Sequence, residues 1–406
     1  MRLLHTSDWH LGKSLCGRRR TEEQAEFLDW LAGLILRESV DLLLVAGDVF
    51  DTGTPGSGVQ RLYYRFLCSV AESGCSVVVV AGNHDSPSLL DAPSDILGYM
   101  NVFVLGVADP EREVVSIVDG DGEVIALVGA VPYLRERDIR RSSWSDDPMD
   151  RDRALALGVE EHYSRIFETM RKKSESSPGV PRIAMGHLFA AGGKVKDDDG
   201  SRDLYVGGLG RVGTDIFPDW LDYVALGHIH GAQIVGGRER CRYSGSPMPL
   251  GFGESGMEKS VYLVDLEGPD FSCRAVPVPS RTEVISLKGN RHALSEGLSE
   301  LVLVGRPCLV EAVLCDDVPF SSLREDLESI VDGSSVELLR VKDGTGINGN
   351  WSFEVSGGLE SMTEEDVFLR RLEGVSLKQD VRDIYVAMFR EVLQDILDQD
   401  GDETTL

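Results

Sequence analysis

One arrangement recurs along this chain and constrains its fold more than any other. An apolar run is followed by glycine and then by a side chain able to hold a metal ion. It occurs at "LLLVAGD" (42–48), "SVVVVAGNHD" (76–85), "IAMGH" (183–187) and "YVALGHIH" (223–230). A fifth run, "RLLHTSDWH" (2–10), ends in Asp8 and His10 without the glycine. Short apolar runs of this kind read as buried strands, and the segments between them keep helical spacing. Leu62, Phe66, Leu67 and Val70 do so within 57–73, and "EEQAEFLDWLAGLILRES" does so at 22–39. Strand–helix–strand alternation implies an α/β sandwich.

In α/β sheets, ligands bind beyond the carboxyl ends of the strands. Asp8, His10, Asp48, Asn83, His187, His228 and His230 are therefore expected to converge on one place. A glycine ahead of the ligand lets backbones pass close to a crowded centre. Asp8/His10 and His228/His230 are i, i+2 pairs, which extended backbone would turn to one side. Taken singly, each residue has a plainer reading: a lone histidine after a strand is usually a hydrogen-bonded structural residue, and Asp or Asn often closes a turn. Seven of them at five strand ends outweigh that reading. His5, His162 and His292 lack the pattern and read as structural or surface residues.

Nitrogen and oxygen donors without a thiolate disfavour iron–sulfur clusters and structural zinc. The set is too large for one tetrahedral ion and suits two divalent ions sharing a carboxylate. Two such cations bring four positive charges and Asp8 with Asp48 removes two, leaving a centre that attracts a phosphodiester. Metal pairs about 3.5–4 Å apart clamp the attacking and leaving oxygens of phosphoryl groups.

At 406 residues the chain exceeds what one hydrophobic core can hold, so two or three domains are expected. Residues 1–276 form the first, with a long helix in the charged stretch 135–181 carrying Val159, Tyr163, Ile166, Phe167 and Met170 on one face. "VPVPSRT" marks a boundary, and 280–343 reads as β-α-β-α-β. A linker (344–363) leads to a helical segment (364–399) whose wide apolar stripe suits either docking on a partner or packing on the same chain. With 41 basic against 68 acidic residues the formal charge is −27, which excludes coating of nucleic acid by bulk electrostatics. Local basic groups would be needed, and Arg18, Arg19 and Arg20 are the candidates for phosphate contact. No run of about 18 apolar residues is present, so no membrane span is expected. The absence of a signal-peptide pattern makes the cytoplasm the expected compartment. Seven cysteines without a C-x-x-C pair read as reduced, structural thiols.

The motifs "DWH", "GDVFD", "GNHD", "GHL" and "GHIH", in that order, resemble those of the calcineurin-like metallophosphoesterases. "MRLLHTSDWHLGK" and "YSGSPMPL" bring the resemblance nearest to the DNA-nuclease branch of that superfamily in bacteria. The resemblance implies a metallophosphoesterase β-sandwich flanked by helices, a small α/β capping domain and a C-terminal helical segment. It implies a nuclease of double-stranded DNA ends and hairpins, acting in DNA repair and recombination. Two Mn2+ ions, with Mg2+ as a substitute, would hold a bridging water or hydroxide as nucleophile. Asp8, His10, Asp48 and His230 would hold the first metal, and Asp48, Asn83, His187 and His228 the second. His84 would assist the leaving oxygen, paired with Asp51, whose carboxylate would stabilise the imidazolium; some relatives outside bacteria carry histidine at that position. The C-terminal helices would bind an ATPase partner, and a homodimer would sit within a heterotetramer, with helix-like segments 58–71 and 87–100 able to supply its interface. The metal ligands alone leave open a cyclic-nucleotide, nucleotide-sugar or phosphoprotein hydrolase. The second domain and the C-terminal helix favour the nuclease. A non-catalytic scaffold would have lost ligands, and this chain has the whole set.

Overall fold

The protein is described from a computed structural model covering residues 1–139, 148–190, 212–268, 270–316, 323–344, 385, 386, 388 and 389. Two six-stranded sheets face each other. The first runs in the order Asp270–Pro277, Ser260–Glu267, Arg2–Thr6, Leu42–Ala46, Ser76–Val80 and Val102–Leu105. The second runs Gln233–Val235, Arg238–Tyr243, Tyr223–Gly227, Arg182–His187, Val124–Val131 and Val114–Val118. The central strands of each sheet are parallel, so their carboxyl ends share an edge.

These strands are continuous apolar runs because both faces are covered. Leu42, Leu44, Ala46, Val78 and Val80 point between the sheets, where they meet Ile183, Met185 and Ala225. Leu43, Val45, Val77 and Val79 point outward to Phe27 and Leu31 of helix Thr21–Glu38 and to Leu62 and Phe66 of helix Ser57–Glu72. Across the second sheet, helix Pro148–Ser176 lays Val159, Tyr163, Ile166 and Met170 over Leu127, Ala184 and Val224. The result is helix, sheet, sheet, helix. The first helix carries Glu22 and Glu23 in its first turn, as the macrodipole favours, and stops where Ser39 turns left-handed at φ 52°.

Beyond Pro277, strands Glu283–Gly289, Cys308–Leu314 and Val336–Asp343 form a separate parallel sheet. Helices Arg291–Val304 and Leu323–Val331 cover one of its faces. The other face presents Val284, Leu309 and Leu339 to Leu15 and Phe252 of the sandwich. Asn290 caps the first of these helices by accepting from the Ala293 N–H at 2.9 Å.

One expectation needs revision, and another lies mostly outside the described residues. Segment 87–100 is not one helix but two short ones, Pro87–Asp91 and Ser94–Gly98, separated at Pro93, which has no N–H to continue the ladder. Most of 364–399 lies outside the described residues, with Tyr385, Val386, Met388 and Phe389 the exceptions, and so does the linker except Gly344. The cysteines carry no disulfide. Among the described residues no helix is long and apolar enough to cross a membrane.

Candidate metal centre

All seven expected ligands gather at the shared strand edge. Asp48 is the hinge of the arrangement. Its Oδ2 lies 3.4 Å from Nε2 of His10 on one side and 3.4 Å from Nε2 of His187 on the other. Asp8, His10 and His230 form one group whose ligand atoms lie within 4.8 Å of one another, and Asp8, Asp48 and His187 form another. Asn83 Oδ1 sits 3.0 Å from His187 Nε2 and 3.0 Å from His228 Nδ1, which brings the remaining donors to the second side.

Close backbone approach makes this possible. A Cβ on Gly227 would overlap the carbonyl of Ala46, and one on Gly82 would overlap the Asp48 side chain. The loops are laced together by Asp8 N–H to Gly47 O at 2.9 Å and His10 N–H to Asp48 O at 3.0 Å. The i, i+2 pairs do not lie on extended backbone: Asp8 and His10 still come to one group, whereas His228 and His230 do not share their nearest partners. Asp8, His10, Asp48 and His228 all have positive φ, at 54°, 45°, 51° and 102°. Past the strand ends the chain curls, and His228 and His230 part company: His228 faces Asn83, whereas the His230 ring lies 5.2 Å from that of His10. Left-handed backbone at four non-glycine ligands costs about 1–3 kcal/mol each and persists where surrounding structure enforces it.

The electrostatics are those of a buried carboxylate among imidazoles. Burial works to raise the Asp48 carboxyl, yet His187, His10 and His84 outweigh it and hold it well below the ordinary range. Burial likewise opposes charge on His187, but Asp48 and Asp8 raise it to about 9. His228, half-buried beside His187, is lowered to about 3 by burial and by that neighbour. His187 donates Nδ1–H to Ala46 O at 2.9 Å, which leaves Nε2 facing the centre. His10 Nε2 is buried with no hydrogen-bond partner, although it points at the Asp48 carboxylate. An orphaned ring nitrogen among hard and borderline donors fits a divalent cation.

Asp51 departs from expectation. Its carboxylate faces His10 Nδ1 at 3.2 Å and Lys13 Nζ at 3.0 Å, not His84. His84 instead donates Nδ1–H to the main-chain carbonyl of Asp51 at 3.0 Å. The reason is that the turn after Asp48 points the side chain back toward the His10 loop, leaving the carbonyl on the His84 side. Burial works to raise the Asp51 carboxyl, and His10 with Lys13 overrides it and lowers it to about 2. The His84 ring lies 4.7 Å from that of His10, and the His84 main-chain N–H donates to Asp48 Oδ1 at 2.9 Å.

The arginine trio also separates. Arg20 is buried, bonded to Glu23 and to the carbonyl of Pro249, because it starts the first helix against the loop at 247–249. Arg18 is exposed and pairs with Glu337 of the three-stranded sheet at 2.9 Å, while Arg19 is exposed. His5 is structural, as expected, with Nδ1 2.9 Å from the Tyr223 hydroxyl, and burial lowers it to about 3.

Several supporting residues carry no sequence signal of their own. Asp85 accepts from the N–H groups of Val49, Phe50 and Gly82 at 3.1, 2.8 and 2.8 Å, tying the Asp48 loop to the Asn83 loop. Burial, and then Asp48, raise its carboxyl to about 6. Ser7 donates to Asp8 at 2.5 Å. Glu254, with Lys259 bonded to it, stands 3.4 Å from His230 Nδ1. Only the position of Asp85, two residues after Asn83 in the same motif, could have drawn attention.

Comparison with known proteins gives a consistent answer. The calcineurin-like phosphoesterase family model matches residues 1–232, and the type 5 capsule protein repressor C-terminal domain model matches 280–376. The chain is similar to the SbcD subunit of the SbcCD nuclease of Escherichia coli (strain K12), at 36% identity over 345 residues, 84% of this chain and 85% of that protein. It is similar to the SbcD protein of Rhodobacter capsulatus, 35% identical over 76% of this chain and 77% of that one. The SbcD protein of Bacillus subtilis is 36% identical over 74% of each.

Proposed function

The chain belongs to the calcineurin-like phosphoesterase family and, within it, to the SbcD nuclease subunits; from that premise we propose that it hydrolyses phosphodiester bonds at double-stranded DNA ends and hairpins. Asp8, His10, Asp48 and His230 would hold one divalent cation and Asp48, Asn83, His187 and His228 the other, with manganese the preferred ion. The observation that carries this reading is Asp48, whose one oxygen is equidistant from a histidine of each set. Two cations so held would supply an acidified water and would neutralise phosphate oxygens.

The chain's own residues do the rest. Nδ1–H of His84, fixed on the Asp51 carbonyl, leaves Nε2 as the ring nitrogen that assists the departing sugar oxygen. The Asp51 carboxylate orients His10. Lys13, Arg135 and the exposed Arg19 supply local positive charge on a surface that otherwise repels DNA.

Residues 1–276 form the nuclease domain, 280–343 the capping domain, and 364–399 the segment that engages an SbcC-type ATPase. The relatives' naming as subunits of SbcCD supports that partner. Two copies form a homodimer within a heterotetramer in the cytoplasm, serving repair and recombination; the exposed Ile96 and Tyr99 support 87–100 as part of its face.

The test is incubation with end-labelled duplex and hairpin DNA, with and without manganese, ATPase and ATP. Cleavage that needs the cation and vanishes in Asp48→Ala, with both cation affinities reduced, is the expected result. Hydrolysis of small phosphodiesters without cleavage of any DNA would favour the other phosphoesterases of this scaffold.

A further inference from the structure

Behind His230 lies a pair of charges that the proposed chemistry does not use. Glu254 is 1% exposed and Lys259 9%, both on the connection from Tyr243 to strand Ser260–Glu267. Lys259 Nζ bonds Glu254 Oε2, the Ser246 hydroxyl at 2.8 Å and the carbonyl of His230 at 3.3 Å. Oε2 also accepts from Ser246 Oγ at 3.2 Å and the Leu250 N–H at 3.4 Å. Oε1 has no hydrogen-bond partner and faces His230 Nδ1 at 3.4 Å. Two buried charges are costly, and apolar residues of the same volume would fill the space without that cost. The feature that apolar residues could not reproduce is an oxygen aimed at an imidazole.

We propose that Glu254, neutralised by Lys259, is the positioning residue for His230. It accepts the Nδ1 proton, holds the ring in that tautomer and turns Nε2 toward Asp8 and His10. This rests on the reading of His230 as a metal ligand. The same device stands behind His10, whose Nδ1 meets Asp51 at 3.2 Å, with Lys13 3.0 Å from that carboxylate. On the other side of Asp48, His187 is backed by a neutral carbonyl. Both imidazoles on the Asp8 side therefore have a carboxylate behind them and a lysine behind the carboxylate. A carboxylate acceptor fixes the ring and makes its far nitrogen a stronger donor. The aim of Glu254 is held from below: Phe252 packs with Leu15, Val284 and Leu309, and the Ser286 N–H bonds Ser255 Oγ at 2.9 Å. Glu254 thus sits between two residues pinned to the three-stranded sheet.

The test uses the full chain with 15N-labelled histidine. In the cation-free wild type, His230 should show the Nδ1–H tautomer. The double variant Glu254→Met with Lys259→Met keeps volume and net charge but removes the acceptor. It should mix the His230 tautomers and weaken one of two manganese equivalents about 10–100-fold in calorimetry. Glu254→Gln with Lys259→Met, which returns an amide oxygen, should restore the tautomer and part of the affinity. A wild-type His230 in the Nε2–H tautomer overturns the proposal, whether or not the variants fold. So does a folded methionine pair with both manganese affinities unchanged. A wild type that binds no manganese overturns the metal reading itself, and the proposal with it.

Discussion

His84 and Asp51 are joined through the main chain: the ring gives Nδ1–H to the Asp51 carbonyl at 3.0 Å, while the Asp51 carboxylate turns away to His10 at 3.2 Å. One residue thus serves two histidines with two different groups. The division separates the consequences of changing each partner.

Replacing His84 by alanine removes the proposed proton donor and none of the seven proposed ligands. Cleavage of end-labelled duplex should fall about 10²–10⁴-fold, the usual worth of a positioned acid or base. Manganese titration of the variant should match the wild type. A near wild-type cleavage rate would remove His84 from the chemistry.

Asp51→Asn should behave differently. The main-chain carbonyl that holds His84 survives, whereas the carboxylate behind His10 is lost. The expected defect is in cation affinity, about 10–100-fold, and rate should recover at high manganese. A rate that stays low at saturating manganese would place Asp51 with His84 after all.

Cation binding should release a proton from His187. Burial lowers this group, but Asp48 and Asp8 outweigh it and raise it from the ordinary 6.5 to about 9, so it is charged at pH 7 without cations. A ligand nitrogen must be bare, so the cation displaces that proton, and affinity should climb with pH until about 9. Calorimetry in two buffers of different ionisation heat measures the release. The sign for folding is the reverse. The raised value means that the charged pair with Asp48 stabilises the cation-free fold fully below about 6.5, and that this is lost as pH rises through about 9. A thermal midpoint rising over that interval without cations would contradict the assignment.

The arginines should separate stability from DNA contact. Arg20→Ala leaves Glu23 and the half-buried Pro249 carbonyl without their partner and should cost roughly 3 kcal/mol in denaturant unfolding. Arg19→Ala should leave stability unchanged and reduce the slope of log affinity against log salt by about one. Equal slopes for wild type and Arg19→Ala would take Arg19 out of the DNA path.

Much of this architecture was legible from local pattern. Apolar runs such as 42–46 and 76–80 could only be strands covered on both faces, and the polar residues after them could only lie at an edge. The helices at 21–38 and 57–72 followed from spacing. The break at Pro93 was also written locally, yet the apolar residues on either side of it concealed it.

The chain order of residues determined which donors exist, that they follow strands, and that glycine clears their approach. Periodicity and hard-sphere geometry act over a few residues and can be read in one dimension. The fold decided where each side chain points: His228 away from His230 through a left-handed turn, Asp51 toward His10, Arg20 inward, and Glu254 behind His230 from 24 positions further along the chain. These outcomes depend on which distant backbone happens to lie alongside, and on electrostatics that act through space rather than along the sequence.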